Sequence, residues 1–225
     1  MPDADAVPDA GGTCTEPPLT VPDIPTFELP PRHDQTYQVT FRNDCAQTVW
    51  PAWCPGGGLD NTTIDTALWL PLPSGTERTV TAYGLVRELA FWGRTGCRFD
   101  QHGVGACATG DCGRLVCTGY GYQVPESATG FNLFGGFFAG YNLPMSVNGA
   151  ACGSHECAAD LDTCSEASVV RNACGETIAC TDTCSGSTPS CCRGENGGCD
   201  DLSYPNDSEG ESLDLVITFC PMTAR

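Results

Sequence analysis

The stretch FWGRTGCRFDQHGVGACATGDCG, residues 91–113, decides the fold of this chain. It holds three of the 17 cysteines and six of the 27 glycines. Disulfides persist only where cellular reductants do not reach them, and this cysteine content is far above ordinary usage. The pattern therefore predicts an exported protein whose loops are cross-linked by disulfides.

Zinc binding is the alternative use of closely spaced cysteines, and the sequence disfavours it. Zinc sites combine short-spaced cysteine pairs with nearby histidines. The histidines present are His33, His102 and His155. We expect no metal and no cofactor.

The net charge disfavours two classes of partner. The 28 acidic and 10 basic residues give a charge of −18, which is repelled by phosphate backbones and anionic lipid. No stretch approaches the roughly 18 consecutive apolar residues of a membrane helix. We expect a secreted monomer that binds no nucleic acid and does not insert into a membrane.

Residues 1–36 are predicted to form a disordered linker, because proline and aspartate recur there with little to bury. No basic and apolar segment typical of a signal peptide follows Met1. We expect either that a signal was removed or that the natural start lies upstream. The folded domain is predicted over residues 37–225.

Alternating apolar and polar residues predict a mainly β fold. Tyr37, Val39 and Phe41 alternate with polar residues, as do Leu215, Ile217 and Phe219 near the end. Short strands are predicted at 37–42, 48–50, 68–70, 78–83, 88–92 and 213–219. Many short strands separated by glycine and proline clusters indicate an antiparallel β-sandwich, built from the first and last parts of the chain.

The segment 152–199 differs from the rest because it holds nine cysteines and few large apolar residues. Such a segment cannot bury enough surface to fold alone, so disulfides must hold it. We expect a disulfide-rich lobe over about 152–200, a smaller loop lobe over about 97–124, and one short helix at 155–164.

Five ordered segments resemble the thaumatin-like protein family. The stretch 91–113 resembles the family signature, and FRNDCAQTVWPA (41–52) resembles its first strands. GYNLPMSV (140–147) resembles the family's G-[FY]-N-x-P-M segment, CAADLDTC (157–164) its cross-linked lobe, and ITFCP (217–221) its last strand. The resemblance covers residues 37–221. Together with the Pro/Asp-rich spacer, a shortened disulfide-rich lobe favours a divergent bacterial member.

The resemblance implies six disulfides by position. These are Cys45–Cys220, Cys97–Cys107, Cys112–Cys117, Cys164–Cys180, Cys184–Cys191 and Cys192–Cys199. The family partners of Cys152 and Cys157 are missing, so these two pair with each other or elsewhere, and we expect the first. Cys14, Cys54 and Cys174 have no family counterpart, and we expect one further pair among them.

Many family members bind β-1,3-glucans and some hydrolyse them, with a cleft arginine, glutamate and three aspartates. The matching positions are Ala90 for the arginine, Gly130 for the glutamate and Ala139 for one aspartate, and the other two fall in shortened segments. Glycoside hydrolysis needs two carboxyl groups facing one bond. Glu88 and Glu126 are the candidate replacements, and both are more consistent with solvated surface acids.

Aromatic residues cluster where the family cleft floor lies, and such rings stack on the C–H faces of sugars. Tyr120, Tyr122, Phe137 and Phe138 are the candidate carbohydrate-binding residues, with core packing as the alternative. We therefore expect a non-catalytic protein that binds a polysaccharide of the cell wall, with an antifungal or defence role. A weak endo-β-1,3-glucanase and a protein-binding inhibitor, or another surface-recognition scaffold, are the alternatives.

Overall fold

The structure is a computed structural model, and it describes residues 36–54, 63–64, 69–83, 90–117, 124–133, 136–149, 153–158, 161–181 and 214–222. Fourteen strands occur in these residues: β1 (Thr36–Asn43), β2 (Trp50–Cys54), β3 (Thr63–Ile64), β4 (Thr76–Tyr83), β5 (Ala90–Arg94), β6 (Arg98–Phe99), β7 (Gly105–Ala106), β8 (Thr129–Asn132), β9 (Gly136–Ala139), β10 (Met145–Gly149), β11 (Gly153–Cys157), β12 (Val169–Arg171), β13 (Thr177–Cys180) and β14 (Leu215–Phe219). The predicted linker lies outside the described residues except for Thr36, which begins β1.

The larger sheet has six strands in the order β11-β10-β14-β1-β4-β3. Its apolar residues alternate with polar ones, so that one face is buried and the other faces solvent except at the buried Ser146 and Thr218. The predicted participation of the first and last strands is confirmed, because β1 pairs with β14. That pair is parallel, whereas the other pairs of the sheet are antiparallel, so the sandwich is mixed at this one place.

The parallel pairing explains how Cys45 and Cys220 meet across 175 residues of sequence. Parallel strands end at the same edge of a sheet, and the register sets Asn43 beside Phe219. Cys220 follows Phe219 directly and Cys45 follows Asn43 after one intervening residue, Asp44, whose N–H donates to the Phe219 carbonyl at 3.0 Å. The disulfide therefore closes the edge where the two strands end.

The smaller sheet has the order β2-β5-β8-β9 and packs against the six-stranded sheet. Phe41 of β1 meets Phe91 of β5 edge to face at 5.9 Å and lies against Phe219 of β14 at 6.3 Å between ring centroids. All three side chains are fully buried. The predicted strands at 48–50, 78–83, 88–92 and 213–219 overlap β2, β4, β5 and β14, whereas Trp69 and Leu70 lie outside any strand.

Two hairpins carry the lobes. The small lobe contains the hairpin β6–β7 and the bridges Cys97–Cys107 and Cys112–Cys117. The larger lobe contains the hairpin β12–β13, and Cys164–Cys180 ties its β13 to the preceding 3-10 turn.

The described bridges are the pairs that the resemblance implies for those eight cysteines, and Cys157 and Cys174 are disulfide-bonded as well. The remaining expected pairs involve cysteines outside the described residues: Cys14, Cys152, Cys184, Cys191, Cys192 and Cys199, and also the side chain of Cys54.

The short helix predicted at 155–164 needs correction. Residues up to Cys157 belong to strand β11, where His155 pairs with Val147 of β10. Leu161–Thr163 form a single 3-10 turn. Helix propensity is a weak prior, and here pairing at the edge of the sheet and the cysteine cross-links override it.

Candidate functional site

The positions that the resemblance assigns to a catalytic cleft lie on the four-stranded sheet. Ala90 begins β5 and is 1% exposed, Gly130 lies on β8, and Ala139 ends β9. The register pairs Ala90 with Asn132 and Trp92 with Gly130, so Ala90 and Gly130 share a face of the sheet. Neither residue carries a group that could transfer a proton or bind a charge.

Gly130 is covered by Val124, a side chain that is itself buried. A Cβ added to Gly130 would lie 2.7 Å from one methyl group of Val124 and 3.1 Å from the other. Even an alanine would therefore force Val124 to move. The site of the family glutamate is filled here by packing, which makes its loss a structural feature and not a simple exchange of side chains.

Of the two predicted acids, the structure describes Glu126. Glu126 is exposed, in the turn that leads into β8. Glu88 lies outside the described residues. The interpretation of Glu126 as a solvated surface acid agrees with its exposure.

Of the predicted aromatic residues, Phe137 is the one whose side chain the structure describes. Phe137 is 6% exposed, and its ring packs edge to face on Phe131 at 4.9 Å. The structure places Phe137 in the core, which favours core packing, the alternative stated for these residues; a carbohydrate-binding role of Phe137 stays a prediction. The backbone of Phe138 belongs to β9, but its side chain is not described, and Tyr120 and Tyr122 lie outside the described residues.

Arg94 is the residue of this region that sequence reasoning missed. It ends β5 and is 0% exposed, between the four-stranded sheet and the small lobe. Its guanidinium donates to the carbonyls of Trp50 at 3.3 Å and Pro51 at 3.2 Å on β2, and to those of Arg114 at 3.1 Å and Leu115 at 2.9 Å on the lobe. One side chain thus joins the backbones of two units that are distant in sequence.

The charge of Arg94 is compensated by dipoles and rings. The guanidinium carbon lies 5.5 Å from the Phe99 ring centroid and 5.9 Å from that of Trp69, which favours a cation–π contribution. Burial lowers the pKa of the Arg94 guanidinium to about 9, and the negative charge of Asp111 acts in the opposite direction. Arg94 therefore remains a cation at neutral pH.

Two aspartates of the small lobe cap backbone N–H groups. Oδ1 of Asp100 accepts from the N–H groups of His102 at 2.8 Å and Val104 at 2.9 Å, and Oδ1 of Asp111 accepts from Cys107 and Gly113. These hydrogen bonds lower the pKa of the Asp100 carboxyl. The sequence pattern indicates this role, because aspartate in tight turns accepts from nearby backbone groups.

The segment Gly140–Asn142 joins the sandwich to both lobes. Tyr141 exchanges two backbone hydrogen bonds with Cys180 of β13, at 2.7 and 2.8 Å. Nδ2 of Asn142 donates to the Gly93 carbonyl at 3.0 Å and to Oγ1 of Thr109 at 2.7 Å. A Cβ added to Gly140 would overlap the carbonyl oxygens of Glu126 and Cys180. The motif is therefore a structural junction.

Comparison with known proteins shows which family the chain belongs to. A model described as Thaumatin family matches residues 43–221, which is most of the chain. The chain belongs to the thaumatin family. The five segments of the sequence that resemble this family all overlap the matched range.

Three curated relatives within the thaumatin family come from plants. Pathogenesis-related thaumatin-like protein 3.8 of Cryptomeria japonica is 32% identical, over 80% of this chain and 87% of the relative. Zeamatin of Zea mays is 32% identical, with coverage of 81% and 89%. An alpha-amylase/trypsin inhibitor of Zea mays is also 32% identical, with coverage of 81% and 98%. The bacterial source stays a prediction.

A solved thaumatin-like xylanase inhibitor matches at 25% identity over 81% of this chain and 99% of the inhibitor, with a TM-score of 0.40.

Within the described residues, no group of three or more histidine, cysteine or acidic side chains could hold a metal ion. None of the helices in that part of the chain is long and apolar enough to cross a membrane.

Proposed function

We propose that this thaumatin-family protein is secreted and acts in defence by binding a cell-wall polysaccharide without hydrolysing it. The observation that carries the proposal is Val124 packed over Gly130, at the position where the family places a glutamate. Hydrolysis of a glycosidic bond needs an acid and a second carboxylate about 5–9.5 Å apart. Ala90, Gly130 and Ala139 supply neither group.

The relatives support the defence component. Pathogenesis-related proteins of Cryptomeria japonica align over most of this chain, and the cysteine content favours an oxidising compartment. The same proposal holds that the disulfide-rich lobe is shortened relative to the family and that the protein is a monomer. An antifungal effect is its expected biological consequence.

The experiment mixes the full chain with insoluble β-1,3-glucan, cellulose and chitin, and measures both sedimentation with the polymer and release of reducing sugars. We expect sedimentation with at least one polymer and no release of sugar from any. Release that disappears in Glu126→Gln or Glu88→Gln would instead identify a glucanase. Failure to sediment with every polymer would contradict the proposal.

A second candidate is a protein-binding inhibitor, because one relative named as an alpha-amylase/trypsin inhibitor is covered almost completely. The decisive measurement is the residual activity of α-amylase and of trypsin at equimolar and tenfold excess of this chain, about the range in which a tight inhibitor saturates its target. Saturating inhibition of either enzyme would favour the inhibitor function over glycan binding. Unchanged activity of both enzymes would contradict the inhibitor function.

A further inference from the structure

The solvent-facing side of the six-stranded sheet carries a continuous row of uncharged residues. Neighbouring strands in register contribute Ser154, Asn148, Val216, Thr40 and Thr79, in that order, from β11, β10, β14, β1 and β4. We call these five residues the transverse row. With adjacent strands about 4.8 Å apart, the row is about 19 Å long.

The row is accessible. Ser154 and Thr79 are exposed, Thr40 and Asn148 are partly exposed, and Val216 in the centre is 36% exposed. It therefore presents three hydroxyl groups and one amide around a single apolar side chain.

The row is also free of charge on a chain whose net charge is −18. On one side the register places Arg42 and Glu77, which form an ion pair of 2.9 Å, followed by the buried Thr218 and Ser146 and the exposed acid Glu156. On the other side lie Gln38 and Thr81, which are uncharged, and the exposed carboxylate of Asp214, whose Oδ1 accepts from the Gln38 N–H at 3.1 Å. The row itself carries no charged side chain, and a polyanion would be repelled both by the chain as a whole and by the acids Asp214 and Glu156 at its borders.

Hydrogen bonds between side chains fix part of this surface. Oγ1 of Thr40 lies 2.9 Å from Oγ1 of Thr79, and Nε2 of Gln38 donates to Oγ1 of Thr81 at 3.3 Å. Threonine side chains are also stiff at χ1 because they are branched at Cβ. Since the groups are already ordered, binding costs less conformational entropy.

We propose that the transverse row binds a neutral polysaccharide chain that lies across the strands of the six-stranded sheet. Hydroxyl and amide groups can donate to and accept from sugar hydroxyls, and Val216 can contact the C–H face of a sugar ring. A protein partner would need a larger apolar centre than one valine. The proposal rests on the proposed function, and it locates binding on the sheet face opposite the filled cleft positions.

The experiment compares the sedimentation affinity of full-chain variants for insoluble β-1,3-glucan, cellulose and chitin. Thr40→Val/Thr79→Val removes two hydroxyl groups at nearly constant shape, and we expect binding about tenfold weaker, as for one to two lost hydrogen bonds. Val216→Glu puts a charge at the centre of the row and should weaken binding at least as much. Thr76→Val makes the same chemical change on an exposed residue of β4 outside the row, and it should bind as the wild type does.

Glu126→Lys tests the opposite side of the molecule. If wild type binds and only Glu126→Lys weakens binding, the transverse row is overturned while the proposed function stands. If wild type binds no polymer, the proposed function itself fails. Circular dichroism and thermal unfolding of each variant separate lost binding from lost folding. If Thr40→Val/Thr79→Val is destabilised, the binding affinity of Val216→Glu tests the proposal instead.

Two further results would overturn the row. One is a wild-type dimer in sedimentation velocity that dissociates in Val216→Glu, because the row would then be a contact between copies of this chain. The other is binding that disappears when salt is raised, because screening affects charge attraction and not contacts between neutral groups.

Discussion

The six-stranded sheet and the small lobe fix their backbones by different means. In the sheet, Phe41, Ile217 and Phe219 are fully buried, and the strands hydrogen-bond to each other in a regular register. The small lobe, residues 97–117, buries few large side chains, chiefly Phe99 and Leu115. Its backbone is fixed by two disulfides, the two capping aspartates and the guanidinium of Arg94. The sheet should therefore respond most to lost volume, and the lobe to lost cross-links and polar contacts.

Removing disulfides tests the comparison with the largest effect. In the chain-entropy model, Cys45→Ala/Cys220→Ala should lower the free energy of unfolding by about 5 kcal/mol, since the bridge closes a loop of 175 residues. Cys112→Ala/Cys117→Ala, with a separation of five, should cost about 2 kcal/mol. Urea unfolding of both variants under oxidising conditions measures the difference. Equal losses would show that loop length does not set the contribution.

Truncation of a core ring tests the packing of the sheet. Phe41→Ala should lower the free energy of unfolding by about 4 kcal/mol, because it removes a fully buried ring that contacts both sheets. Val216→Ala on the solvent face of the same sheet is the matched control, and should cost less than about 1 kcal/mol. Urea unfolding again gives both values. A loss below that of the control would contradict a packed core at this position.

Replacement of the buried cation tests the attachment of the lobe. Arg94→Met keeps much of the volume but leaves the carbonyls of Trp50, Pro51, Arg114 and Leu115 without that donor, so we expect a loss of about 3 kcal/mol. Arg98→Met changes an exposed arginine of the same lobe and should lie within about 0.5 kcal/mol of wild type. Amide hydrogen exchange should also show faster opening of residues 112–117 in Arg94→Met alone. Unchanged exchange there would mean that the disulfides suffice.

The smallest expected effect is the loss of the Asp100 contribution to stability at acidic pH. Backbone hydrogen bonds lower the pKa of Asp100, so its contribution is complete above the unfolded pKa, about 3.9, and is lost as the pH falls through the lower folded value. NMR titration of the His102 and Val104 amides should show this transition below pH 3.9, while the amide of the buried Phe41 stays unchanged. In Asp100→Asn the transition should be absent. A midpoint at the unperturbed pKa would contradict the capping role.

The sequence predicted those features that depend on short-range patterns. Alternation identified β1 and β14 through Tyr37–Phe41 and Leu215–Phe219, and the tight-turn positions of Asp100 and Asp111 are typical of the capping that the structure shows. Family resemblance placed the described disulfides, which spacing alone could not do.

The features that were missed depend on contacts between distant residues. Arg94 is a charged residue that follows three apolar ones in the sequence. Nothing in this local pattern indicates that its guanidinium will contact carbonyl groups of residues 50–51 and 114–115. Alternation locates two faces of β9 but does not say which one is buried, so it could not distinguish the core position of Phe137 from a sugar-binding one. The prediction of a helix at 155–164 was wrong because residues 153–157 pair with β10. Local helix propensity takes no account of such a pairing between distant residues.

The neighbouring positions of the first and last strands have a consequence for how the molecule is made. The six-stranded sheet cannot be completed until the final residues are available, so a nascent chain emerging from its N-terminus must keep β1 without its partner β14 throughout synthesis. During the same interval Cys45 lacks its partner Cys220, and it can form incorrect disulfides with the cysteines that are synthesised before Cys220. Assembly of this protein should therefore depend on disulfide exchange after the chain is released, and a truncated chain lacking its last dozen or so residues should accumulate mispaired forms.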